Sequence, residues 1–199
     1  LAKSKEEAMR DFILDCSEAL FSVNGYKNTS MDMIAEKCEI SKPTLYNYFS
    51  SKNSLFIGLY ARFQAEIAGK TAELMEQPKD KLLIIEEIID LALALIEQKR
   101  NFLKMMIREH HVAIQECGNL EEHMSSELRR REEIARRLGE FMSEIVRPEV
   151  LDEFGATMVG NALSNLLEGA FWDSVTSDFF NHEIQKKLIM KLLKQGILA

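Results

Sequence analysis

Between Thr29 and Lys52 the sequence TSMDMIAEKCEISKPTLYNYFSSK crowds hydroxyls, an amide and lysines onto a stretch short enough to form one small surface. Ser41, Lys42 and Pro43 open a segment that displays Thr44, Tyr46, Asn47 and Tyr48 before it reaches Ser50, Ser51 and Lys52. Short donors and a helix N-terminus suit phosphate oxygens. A threonine methyl can meet a thymine methyl, and an asparagine amide can pair with adenine. The chemistry on offer is that of a DNA backbone and its major groove.

Other constellations offer less. Glu109, His110, His111, Cys117 and His123 have the residue types of metal ligands. Adjacent histidines, however, project from different faces of a helix, and no ligand pair has zinc-motif spacing. None of the four histidines follows a glutamate by three residues, as a di-iron carboxylate bundle requires. No glycine loop cradles phosphate, and no serine or cysteine triad is suggested. No metal or cofactor is expected, and a helical-bundle enzyme is the remote alternative. The exposed-tyrosine pattern has a plain reading too, since aromatic rings often cover small cores.

The elements that must position the polar stretch are helices. Met9, Phe12, Ile13, Cys16, Ala19, Leu20 and Val23 alternate at three and four, as one buried helix face should. Asn24-Gly25 closes that helix, because glycine takes the left-handed conformation readily. Ser30 caps a second helix of about two turns, with Asp32 favourably placed in its first turn. Ser41 caps a third, with Pro43 where its missing N–H costs nothing; Leu45 and Phe49 face its core. A fourth helix is predicted over 52–75, burying Leu55, Phe56, Leu59, Tyr60 and Phe63.

With 199 residues, 46% of them hydrophobic, the chain can bury a substantial core, and few prolines and glycines interrupt it. All-α is the expected class. Cys16, Cys38 and Cys117 are an odd, scattered set and read as reduced core residues of a cytoplasmic protein. No secretory leader and no membrane-length apolar run is present, so a cytoplasmic location without membrane attachment is expected. The net charge of -7 opposes indiscriminate nucleic-acid binding. Residues 1–60 carry 7 basic and 8 acidic side chains, net -1, so most of the acid excess lies beyond them.

The stretch ALFSVNGYKNTSMDMIAEKCEISKPTLYNYFSSKNSLFIGLY, with SKPTLYNYF and SSKNSLF as its most diagnostic parts, resembles the TetR-type (tetracycline-repressor-like) transcriptional regulators. The resemblance implies three N-terminal helices forming a helix-turn-helix DNA-binding domain (1–51). The helix over 52–75 then leads into a helical ligand-binding and dimerisation domain (52–199), with about nine helices in all. It also implies that Thr29 and Ser30 contact phosphate, and that Lys42, Pro43, Thr44 and Asn47 approach bases or adjacent phosphates. Tyr46 would do either, while Tyr48 and Lys52 clamp phosphates. Glu39 departs from the pattern, standing where the family's turn usually has glycine.

Beyond the proline turn at Gln77-Pro78, LLIIEEIIDLALALI (82–96) is apolar nearly all round and reads as a central buried helix. Further helices are predicted over 101–117, 121–146, 149–176 and 179–195. The arginines and glutamates of 127–140 read as a solvated face laced by ion pairs. Ala156, Gly160 and Ser164 form a small-residue stripe; with Ile184, Leu188 and Leu192 they are the expected dimer interface, a four-helix bundle across a two-fold axis. Phe102, Met105, Met106, Phe141, Met158 and Trp172, with His110, Asn161 and Asn165 as polar anchors, are candidates to line a pocket, although ordinary core packing explains any one of them. The expected function is a homodimeric repressor that binds a pseudo-palindromic double-stranded DNA operator and is released by a small hydrophobic effector. The alternative is a constitutive DNA-binding dimer without an effector.

Overall fold

The computed structural model describes residues 4–115, 120–177 and 180–198, and within them the side chains outside 109–127. Among the described residues nine helices follow one another: α1 (Lys5–Asn28), α2 (Met31–Lys37), α3 (Lys42–Tyr48), α4 (Lys52–Met75), α5 (Lys81–Gln98), α6 (Arg100–Gln115), α7 (Leu120–Met142), α8 (Pro148–Thr176) and α9 (His182–Gly196). The all-α class is as expected. The histidine and cysteine candidates His110, His111, Cys117 and His123 have side chains outside the described set.

Two compact units share the chain: Leu1–Ala65 with Asn101–Gly118, and Glu66–Arg100 with Asn119–Ala199. The division falls inside α4 rather than at 51/52. The physical reason is burial: Leu55, Phe56, Leu59 and Phe63, on the first half of α4, are core residues.

The first unit starts from a capping box. Ser4 Oγ accepts from the Glu7 amide at 3.1 Å, and the Ser4 amide donates to Glu7 at 2.8 Å. Gly25 breaks α1 with φ 77°, as its position after Asn24 predicts, and a further helical turn follows. Phe21, Tyr26 and Phe56 meet with ring centroids 5.0–6.2 Å apart in a fully buried aromatic cluster. Arg62 of α4 reaches Asp15 at 2.7 Å and Glu18 at 2.9 Å on α1.

The second unit is built on α5, whose N-cap Asp80 accepts from the amides of Leu82 and Leu83. Its Ile84, Ile85, Ile88, Ile89 and Leu93 enter one core with Leu138 and Met142 of α7, Val159 and Leu163 of α8, and Ile189 and Leu193 of α9. α7 and α8 touch backbone to backbone. A Cβ on Gly139 would stand 1.8 Å from the Ala156 carbonyl oxygen, and one on Gly160 would stand 1.9 Å from that of Ala135. This corrects the expected interface. Gly160 is buried, and it and Ala156 are small so that α7 can approach, leaving no room for a second chain there; Ser164 is half-buried and donates to the Gly160 carbonyl. Gly155, with φ 75°, kinks α8 near its start, a break the periodicity of 149–176 did not announce.

Candidate nucleic-acid interface

The helix-turn-helix geometry follows from three local devices. Ser30 Oγ accepts from the Met33 amide and Ser41 Oγ from the Thr44 amide, each at 3.2 Å, so a hydroxyl starts both α2 and α3. Pro43 occupies the first turn of α3. Between the helices, Glu39 takes φ 54°, the left-handed conformation that a glycine would adopt without strain. The turn therefore keeps its shape despite the non-glycine residue, and the Ile40 amide donates to the Ala35 carbonyl at 3.0 Å.

Leu45 and Phe49 are buried beneath α3, while Lys42, Pro43, Tyr46 and Asn47 are exposed and Thr44 and Tyr48 are half-buried. Ser30 is exposed at the start of α2. With half-buried Lys52, eight of the nine residues predicted to contact DNA thus have side chains at or near the surface. The Thr44 hydroxyl shares a 2.7 Å hydrogen bond with Ser41. Lys42 donates to Asp32 at 2.6 Å. That hydrogen bond first, and the attraction of the carboxylate second, hold the Lys42 ammonium above its ordinary pKa.

One expected phosphate contact is corrected, and a second residue has an internal partner. Thr29 is buried, and its hydroxyl donates to the Gly25 carbonyl at 2.8 Å, closing the break in α1. Lys52 donates to the Tyr26 carbonyl at 2.8 Å and lies 4.3 Å from the centre of the Tyr26 ring. Thr29 shapes the surface from beneath, and Lys52 stays half-buried beside it. Arg10 is a positioning residue that sequence reading missed: it donates to the Tyr48 carbonyl at 2.9 Å and covers the Phe49 ring at 4.5 Å, fixing the C-terminal end of α3. Its partners lie 38 residues away, so no local pattern marks it.

The pocket candidates are divided between the two units. Phe102, Met105 and Met106 are buried in α6, and Phe141 is half-buried with the Lys81 ammonium 5.0 Å from its ring centre. Met158, Asn161, Asn165 and Trp172 are exposed on one face of α8. A groove of about 640 Å³ in the second unit is lined instead by Lys70, Glu73, Leu74, Glu87, Asp90 and His182, among others. Among the described residues no helix is long and apolar enough to cross a membrane, and no three His, Cys, Asp or Glu side chains are grouped to hold a metal ion.

Residues 13–59 match the family described as bacterial regulatory proteins, tetR family. The HTH-type transcriptional regulator YhgD of Bacillus subtilis (strain 168), itself uncharacterized, is 33% identical over 67 residues, which span 34% of this chain and 35% of that protein. The nucleoid occlusion factor SlmA of Aliivibrio fischeri (strain MJ11) is 27% identical over 185 residues, 90% of each chain. Among solved structures, the fatty acid degradation regulator FadR from Bacillus halodurans shares the fold, with a TM-score of 0.69 at 16% identity over 98% of each chain. The matched residues are those that build the capped helix pair and its supports, and the likeness of fold runs through α9: residues 13–59 are a tetR-family DNA-binding domain, set in a chain with the fold of TetR-type transcriptional regulators.

Proposed function

We propose that this regulator is a cytoplasmic homodimer that represses transcription from a pseudo-palindromic operator and is released by a small hydrophobic ligand, without catalysis. The observation that carries the dimer is apolar surface left uncovered on α8 and α9. Phe154, Met158 and Trp172 on α8, and Ile184, Leu188 and Leu192 on α9, are between 45% and 67% exposed. Along α8, beyond the break at Gly155, positions 158, 161, 165 and 172 fall on one stripe at steps of three, four and seven, and along α9 positions 184, 188 and 192 share a face at steps of four. Contiguous apolar faces of this kind mark interaction surfaces. Two copies related by a two-fold axis would cover them as a four-helix bundle and hold two α3 helices at one groove spacing.

The exposed arc Lys42, Pro43, Tyr46 and Asn47 supports base and phosphate contact by α3, with Ser30 and Tyr48 beside it. Buried Phe102, Met105 and Met106 support a lipid-like or aromatic effector, since methionine linings adapt to greasy ligands. FadR, which shares the fold, is named for fatty acid degradation. An effector acts by binding more tightly to the dimer whose heads are wrongly spaced, and only through that difference in affinity.

The test begins with duplexes selected from a random pool by the wild-type protein. Asn47→Ala should alter the selected sequence, and sedimentation should show a dimer. Unchanged selection by Asn47→Ala and Tyr46→Ala would remove α3 from base contact. A thermal-shift screen of fatty acids and aromatic compounds should find a stabilising ligand that releases the duplex; stabilisation by none of them would favour the effectorless dimer.

A further inference from the structure

The ion pair between Asp32 and Lys42 lies on the DNA-reading surface itself, with the two side chains 67% and 54% exposed and 2.6 Å apart. An exposed pair adds little to folding stability, so its consequence lies in the charge it leaves for a ligand. Lys42 is the first residue of α3 and the one basic side chain in that helix, whose sequence is KPTLYNY. Asp32 stands in the first turn of α2, two residues after the Ser30 cap. The pair therefore joins the starts of the two helices and neutralises the reading helix's own cation with a carboxylate on the same face.

We propose that Asp32 limits sequence-independent DNA affinity by competing with backbone phosphate for Lys42. The proposal rests on the reading of α3 as the DNA-contacting helix. A phosphate can gain Lys42 only if Asp32 gives it up. The cation that DNA releases at that contact is then matched by one taken up at the bared carboxylate, so the contact adds little to the salt dependence of binding. In D32N the release is uncompensated, and each head engaged contributes a full phosphate contact.

The experiment measures binding of the full chain to a 30-base-pair random-sequence duplex as a function of salt, for wild type, D32N, K42A and the double variant. Asp32→Ser serves as a second replacement, and thermal melts check the fold of each protein. D32N and Asp32→Ser should bind about tenfold more tightly per head at 0.1 M salt, and the slope of log K against log salt should steepen by about 0.9 per head. The gain should vanish when Lys42→Ala is already present, the signature of a coupled pair. An unchanged affinity in folded D32N overturns the proposal. So does an equal gain in the K42A background, which would make Asp32 a direct repeller of phosphate. Those two results leave the reading of α3 standing, whereas wild-type binding of random and selected duplexes by K42A and Asn47→Ala alike would overturn that reading together with the proposal.

Discussion

The first unit and the second dispose of their large apolar side chains differently. In the first, the aromatic cluster and the faces of α1 to α4 are turned inward, and beyond Tyr46 on the reading surface only Phe12 and Val23 stand out as large exposed hydrophobics among the described residues. In the second, Leu83, Leu128, Phe154, Met158, Trp172, Ile184, Leu188 and Leu192 are exposed, six of them on α8 and α9. Cations serve helix ends and acids in both units: Arg10 and Lys52 donate to the carbonyls of Tyr48 and Tyr26 in the first and Arg100 to that of Ser174 in the second, while Arg62 pairs with Asp15 and Glu18 and Arg136 with Glu133 and Glu140. One unit is finished as a folded object and offers a polar face; the other keeps an apolar face in want of a cover. That division of labour suits the dimer proposed above, in which a small, nearly neutral head would gain affinity by being held beside a second one.

The contrast is most directly challenged by charging the apolar stripe. In the proposed dimer, Leu188→Glu with Leu192→Glu should yield a folded monomer by sedimentation, with duplex affinity reduced about a hundredfold or more, since the second head then loses its effective concentration. A dimer that survives both changes would place the interface elsewhere. Gly160→Val separates this outer face from the inner stripe. It should lower folding stability by about 3 kcal/mol in chemical denaturation, because its Cβ would collide with the Ala135 carbonyl.

In the first unit the expected changes are smaller. Glu39→Gly should stabilise the fold by about 1 kcal/mol, read as a higher urea midpoint, by relieving a left-handed residue. Cys38 offers a pH test. Burial first, then its hydrogen bond and charge interaction with Cys16, push its thiol up to about 12. Because the folded pKa lies above the unfolded value of about 8.5, this group's contribution to stability is complete below about pH 8.5 and is lost as pH rises toward 12. Alkylation at pH 8.5 should accordingly be slow at Cys38 in the native protein and fast after denaturation.

Much of the architecture was legible because its causes are local. Ser30, Ser41 and Pro43 announce two helix starts, and periodic apolar residues announce α1 and α4. Gly25 marks the break in α1 through its own backbone freedom. The exposed arc of α3 follows from a 3.6-residue period once Leu45 and Phe49 are assigned to the core. Glu39 could be singled out by type and position, and it holds the left-handed turn all the same.

What only the tertiary structure decided concerns partners remote in sequence. Thr29 and Lys52 have the chemistry of phosphate ligands, yet the folded chain gives the Thr29 hydroxyl the Gly25 carbonyl and the Lys52 ammonium that of Tyr26 as internal acceptors. Ala156 and Gly160 form a stripe that any helix could use, and the folded chain presents it to α7. Asn47 and Lys42 are equally polar in the sequence, but only the meeting of α2 with α3 sets a carboxylate against the lysine. Spacing along a chain determines which side chains share a face, since that depends on the helical period alone. Which face meets a neighbour depends on the competition among all buried surfaces at once, and that competition is resolved only when the helices pack.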